Sequence, residues 1–164
     1  FVHGGMGEKF STWKIEDINA RLRLELSDWA RAQVKSTQPQ IRQPEVAYNP
    51  EGPLWYSELA TVPEADLKAE VDRILANLGA KVMVIAHTPR IPDEKDMKRF
   101  DGKVWIIDTG ISAVYGGRLS ALIINSGEFR IWGEKNEKAN TPGIPRSGFP
   151  ADRAPFLWEN PVGR

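Results

Sequence analysis

The chain has two histidines, and both occupy the same local setting: Phe-Val-His3-Gly-Gly and Val-Ile-Ala-His87-Thr-Pro each place an imidazole where an apolar strand ends and a turn begins. In open α/β sheets, ligands and metals gather outside the carboxyl ends of strands, where side chains from different strands converge. A neutral imidazole offers a lone pair to a cation without the burial of a charge. One such histidine reads more readily as a hydrogen-bonded core residue than as a ligand; two in matching positions point to His3 and His87 as a pair of metal ligands. Asp108 closes a third apolar run and precedes Thr109-Gly110, which brings a carboxylate to the same edge, although an Asp at a strand end also serves its own turn by accepting backbone amides. Tyr115-Gly-Gly-Arg118 joins a hydroxyl, a flexible backbone and a guanidinium, a set suited to a phosphate or sulfate oxygen. An arginine on a solvated hairpin has the same appearance.

These groups need elements to hold them. Gly4 and Gly5 allow a sharp turn after His3. Ile15, Ile18, Leu22, Leu26 and Trp29 recur at steps of three and four, which predicts an amphipathic helix from 15 to about 35. Between Ser36 and Val62, Pro39, Pro44, Pro50, Gly52 and Pro53 forbid a long helix or central strand, so a long loop follows, with Leu54-Trp55-Tyr56 packed in its middle. Thr61 and Glu64 have capping-box spacing, Pro63 falls in the first turn, and Leu67, Val71, Ile74, Leu75 and Leu78 form an apolar face that Gly79 ends. Ala80–Ala86 reads as a strand buried on both faces, Asp101-Gly102 as a tight turn and Val104–Ile107 as another buried strand. Leu119–Ile124 and Glu128–Trp132 flank the turn Asn125-Ser126-Gly127 as two further strands. The tryptophans are expected in core and loop packing. From 134 to 164 the chain is rich in Pro and Gly and has no period, which predicts an extended or disordered tail behind a domain over 1–133.

Composition narrows the classes. The chain has 164 residues, 22 Lys plus Arg against 22 Asp plus Glu, and no cysteine. A net charge of zero gives no field to gather nucleic acid or anionic lipid, so neither is an expected partner. The longest apolar stretch, Val82–Ala86, is too short to span a bilayer, and the expectation is a soluble chain. Absence of cysteine excludes thiol nucleophiles and thiolate metal sites, and leaves the compartment open. Asp108-Thr-Gly after an apolar strand also has the form of the aspartic-protease motif, in which two carboxylates share a proton; with one such tripeptide, a protease here requires a homodimer. A non-catalytic module that binds a partner through the proline-rich loop and tail is the remaining alternative. Because the sequence opens on Phe1 with the end of a strand, it is expected to be either a processed product or a fragment whose upstream half is missing, the second being the preferred expectation.

Four ordered motifs, Phe1-Val-His-Gly-Gly-Met6, Gly52-Pro-Leu-Trp-Tyr56, Ile85-Ala-His-Thr-Pro89 and Ile107-Asp-Thr-Gly-Ile-Ser-Ala-Val-Tyr-Gly-Gly-Arg-Leu-Ser-Ala121, resemble those of calcineurin-like metallophosphoesterases. The resemblance is to the bacterial-type branch related to Shewanella-like protein phosphatases and runs over roughly residues 1 to 132. It implies an α/β/β/α sandwich, of which this chain is the carboxyl-terminal half, with two divalent ions (Mn, Fe or Zn) at the sheet edges. It implies that His3 and His87 are ligands of the second ion, that Tyr115 and Arg118 bind substrate near the mouth, and that the substrate is a phosphate ester or phosphoprotein. Asp108 is not a usual direct ligand in that family. The motifs D-x-H, G-D-x-x-D-R-G and G-N-H-E, which would supply the bridging carboxylate, the remaining ligands and the acid–base histidine, are absent from the chain. No catalytic residue is therefore assigned within it, and the chain alone is expected to be inactive. Relatives often carry an arginine after the Trp-Tyr pair, where this sequence has Ser57.

Overall fold

Residues 1–89, 97–113 and 119–133 are described by a computed structural model. All lie in one unit, Phe1–Glu134, and the expected tail over 134–164 lies outside the described residues. In order, they form helices α1 (Glu8–Ser11), α2 (Ile15–Lys35), α3 (Glu58–Thr61) and α4 (Glu64–Asn77). Strands β1 (Met83–Ile85), β2 (Lys98–Arg99), β3 (Val104–Ile106), β4 (Ser120–Asn125) and β5 (Glu128–Gly133) follow. β3 lies between β1, to which it is parallel, and β2, to which it is antiparallel, while β4 and β5 pair as a separate antiparallel hairpin. Helices combined with a mixed sheet make this an α/β fold. None of its helices among the described residues is long and apolar enough to cross a membrane.

Every residue of β1 and β3 is buried, as their unbroken apolar runs require. One edge of β1 pairs with β3. On the other, Val2 N–H donates to the Val84 carbonyl (3.0 Å) and Ala86 N–H to the His3 carbonyl (2.8 Å). The first residues thus run alongside β1 without themselves forming a regular strand, and His3 is carried to the carboxyl end of β1, beside His87.

One helix boundary departs from expectation. The Thr61/Glu64 capping box does not form: Thr61 ends α3, its hydroxyl donating to the Ser57 carbonyl (3.1 Å), and Pro63 is the N-cap of α4. Glu64 is drawn away by the β2–β3 turn, where its carboxylate accepts Phe100 N–H (2.9 Å) and faces Arg99 Nε (3.5 Å). Arg99, 9% exposed, donates to the Leu59 carbonyl (2.6 Å) and also bonds the Val62 carbonyl, closing the unpaired carbonyls at the end of α3. At the other end of α4 the expected stop is present. Gly79 adopts φ 62° and donates to Ala76, and Ala80 donates to Leu75, the paired bonds of a Schellman motif. α2 ends in the same bond pattern, Ser36 to Gln33 and Thr37 to Ala32, but a serine holds the left-handed position at φ 52°.

The buried face of α2 is rotated from the expected stripe. Ile18, Glu25 and Ala32, spaced by seven, point inward, while Ile15, Leu26 and Trp29 are 50%, 42% and 38% exposed. The cause is Glu25, whose carboxylate is turned into the protein to bind loop amides.

Candidate functional site

β1 ends in an unusual turn. Thr88 N–H donates to the Ala86 carbonyl (2.7 Å) around His87 at φ 64°, the positive-φ form of the γ-turn, which is rare and strained. Histidine tolerates this region better than most residues. The turn aims the His87 ring at His3: His87 Nδ1 and His3 Nε2 lie 3.2 Å apart, one donating its N–H to the lone pair of the other. The ring centroids are 5.0 Å apart at 62°. Burial first, then the neighbouring His3, holds the His87 imidazole below the usual histidine range, with Asp108 pulling the other way. The ring is therefore neutral near pH 7, and a lone pair is available.

The loop that borders the pair is fixed by main chain against main chain. Gly4 N–H donates to the Pro53 carbonyl (2.7 Å) and Gly7 N–H to the Glu51 carbonyl (2.9 Å). A Cβ at Gly4 would meet Leu54 backbone at 2.9 Å, and one at Gly5 would meet the Tyr56 carbonyl oxygen at 2.6 Å. Glycine at these positions is thus required by close approach of two backbones. The result is Trp55 set edge-on to His87, with centroids 5.3 Å apart at 84°. Tyr56 packs as expected, but Trp55 remains 41% exposed, and Trp29 and Trp132 are also substantially open to solvent. Trp55 still packs against its loop, donating its indole N–H to the Ala47 carbonyl (2.8 Å), whereas Trp29 and Trp132 depart from the core or loop packing expected of most of the tryptophans.

Asp108 gives one oxygen to Gly110 N–H (3.2 Å), an Asx turn that accounts for the residue without catalysis. Tyr115 and Arg118 lie outside the described residues. Ser57 receives the amides of Ala60 and Thr61 on its carbonyl at the start of α3.

The histidine pair suits a shared cation. Imidazole ligands bound at about 2.0–2.1 Å stand roughly 2.9–3.4 Å apart around one ion, and the observed 3.2 Å falls in that range. Among the described residues no group of three or more His, Cys, Asp or Glu is arranged to hold a metal, so the fit is of two donors, half of a four-ligand set.

Two residues near the site were not assigned a role from sequence. Trp55 sits within a quoted motif, but nothing in its type or spacing told which ring it would meet. Glu25, 2% exposed, accepts four donors: Arg21 Nε (2.6 Å) and Glu45 N–H (2.8 Å) on one oxygen, Val46 N–H (3.1 Å) and Ala47 N–H (2.8 Å) on the other. Burial, the largest single influence, raises its pKa, but the amides of Ala47 and Glu45, then Arg21 and Val46, together outweigh it and hold the carboxyl below its usual range. The detectable signal was the seven-residue line Ile18–Glu25–Ala32, which puts a carboxylate among inward positions.

No family model matches the chain. Over 78 residues, 48% of its length, it is 30% identical to an uncharacterised protein of Schizosaccharomyces pombe, of which it spans 23%. Among solved structures it is similar to a cold-active protein tyrosine phosphatase, with a TM-score of 0.55 and 22% identity, over 79% of this chain and 35% of that one. The chain therefore shares the α/β fold of that structure over most of its length, and it spans about a third or less of each of these two proteins.

Proposed function

We propose that this chain is the imidazole-bearing part of a two-metal phosphoesterase of calcineurin-like type, acting on phosphate monoesters or phosphoproteins as part of a longer protein. His3 and His87 are the ligands of one of two divalent ions (Mn, Fe or Zn). The observation that carries this reading is the 3.2 Å approach of two ring nitrogens that lie 84 residues apart in sequence. The likeness of fold to a protein tyrosine phosphatase supports a phosphorylated substrate.

When bound, such ions polarise a phosphate ester and acidify a water molecule for attack on phosphorus. The chain's own residues supply position and protonation state. The γ-turn at His87 presents Nδ1 toward His3. Burial keeps the His87 ring neutral, and the carboxylate of Asp108 offsets part of that lowering. Gly4 and Gly5 let the segment that carries His3 approach the Trp55 loop, whose indole ring lies against His87. Tyr115 and Arg118 are the proposed contacts to the phosphate oxygens.

Two imidazoles alone do not hold two cations, since a dinuclear centre needs shared anionic ligands to offset repulsion between the ions. The 164-residue chain should accordingly bind Zn²⁺ but show no turnover of a chromogenic phosphomonoester with Mn²⁺. The test follows the ring signals of its two histidines by NMR during Zn²⁺ titration. Both should move at the same metal concentration, and His87→Asn should abolish the response of His3. Rings that respond separately, or not at all, would leave a non-catalytic partner-binding module as the better reading. Metal-dependent turnover by the chain itself would show a complete site within it.

A further inference from the structure

We infer that Glu25, on the far side of the loop from the histidines, is a positioning residue for His87, an assignment that rests on the metal-ligand reading of that ring. The link is a short series of contacts through two residues, Ala47 and Trp55. Both oxygens of the buried Glu25 carboxylate grip consecutive amides of the loop, those of Glu45, Val46 and Ala47. The carbonyl of the same Ala47 accepts the Trp55 indole N–H at 2.8 Å, and the Trp55 ring meets His87. Ala47 is thus fixed at its N–H by α2 and at its carbonyl directs the indole, so a shift of the carboxylate is passed to the ring beside the ligand.

Nothing nearer does this job alone. Trp55 is open to solvent on 41% of its surface, so packing alone covers only part of its ring. Its N–H bond to Ala47 selects one orientation. The main-chain bond from Gly4 to Pro53 holds the loop at its other end but does not touch the indole. A carboxylate with four donors is also a stiff anchor, because charge-assisted hydrogen bonds are short and strong. The ion pair with the partly exposed Arg21 engages only one of the two carboxylate oxygens, and the loop amides engage both.

The experiment is a double-mutant cycle on the 164-residue chain, with Zn²⁺ as the probe. Glu25→Gln and Trp55→Phe are made singly and together, and Zn²⁺ affinity is measured beside the NMR signals of the His87 ring and the Trp55 indole N–H. The Trp105 indole N–H, which donates to the Gly102 carbonyl at 2.9 Å, reports on the fold away from the site. Groups that orient a metal-bound histidine are worth about ten- to a hundredfold in affinity; with two bonds intervening, each single variant is expected to weaken Zn²⁺ about tenfold. The double variant should be no weaker than Trp55→Phe, because both changes break the same series. In Glu25→Gln the His87 and Trp55 signals should shift while that of Trp105 stays. Unmoved His87 signals, or losses that multiply in the double variant, would overturn the assignment. Should Glu25→Gln fail to hold the fold, Glu25→Asp, which keeps the charge but withdraws it by one methylene, is read in the same way. If the parent chain binds no Zn²⁺, the metal-ligand reading falls, and the metal-free ring signals still decide whether Glu25 positions His87.

Discussion

The two sheets of this molecule are written in similar residues and built for different ends. β1 and β3 are buried along their whole length, and each central residue of the pair faces another apolar one. In β4 and β5, half-buried and exposed positions alternate over much of the ribbon, and Ile123, Ile124 and Trp132 are 41%, 43% and 56% exposed. The turns at their ends differ in the same way. In the hairpin, Ser126 and Gly127 take φ 48° and 83°, the two-residue turn whose twist suits antiparallel strands, and the left-handed residues simply reverse the chain. After β1 the left-handed residue is His87, and there the backbone departs from its comfortable range in order to aim a side chain. An apolar run therefore announces a strand without saying whether that strand is scaffold or surface.

The largest expected effect separates the sheets directly. Ile106→Ala, at a fully buried position, should lower unfolding free energy by about 2–5 kcal/mol, whereas Ile123→Ala should change it by no more than about 0.5 kcal/mol. Urea denaturation of both variants checks this, and equal losses would erase the distinction. Next in size is the turn contrast. His87→Gly should unfold at higher urea than His87→Ala, by about 1 kcal/mol, because only glycine enters the left-handed region without strain; both lose the imidazole.

A further effect belongs to Glu25. Its pKa is lower folded than unfolded, so the unfolded chain binds the extra proton. The stability this contributes is full above the unfolded value of about 4.3 and disappears as pH falls through the folded value. Thermal melts across that window should show the loss in the parent chain and a flatter profile in Glu25→Gln. The smallest change expected is a gain: Ser36→Gly, relieving a left-handed serine at the end of α2, should stabilise by roughly 0.5–1 kcal/mol.

What the sequence made legible followed local rules. The 3.6-residue period located α2 and α4, Gly79 marked a helix end, and the strand-end setting of both histidines anticipated that they would meet. What it hid depended on partners far along the chain. Glu25 looks like any solvated acid on a helix until amides 20 to 22 residues away turn it inward and rotate the whole face of α2 with it. Thr61 and Glu64 had the right spacing for a cap, but Glu64 found a stronger claim in Arg99 and the Phe100 amide. β2, two residues long, is too short to leave a period at all. Exposure of Trp55 is likewise a property of the site's rim and not of the tripeptide around it.

The contact between the Gly4–Gly5 segment and the 52–56 loop has a consequence for redesign. Because that joint is made of peptide groups, it constrains where glycine must stand and is indifferent to most neighbouring side chains. A variant library at Leu54 and Ser57 that spares the glycines should keep the imidazoles in register while changing the side chains of the loop around this joint.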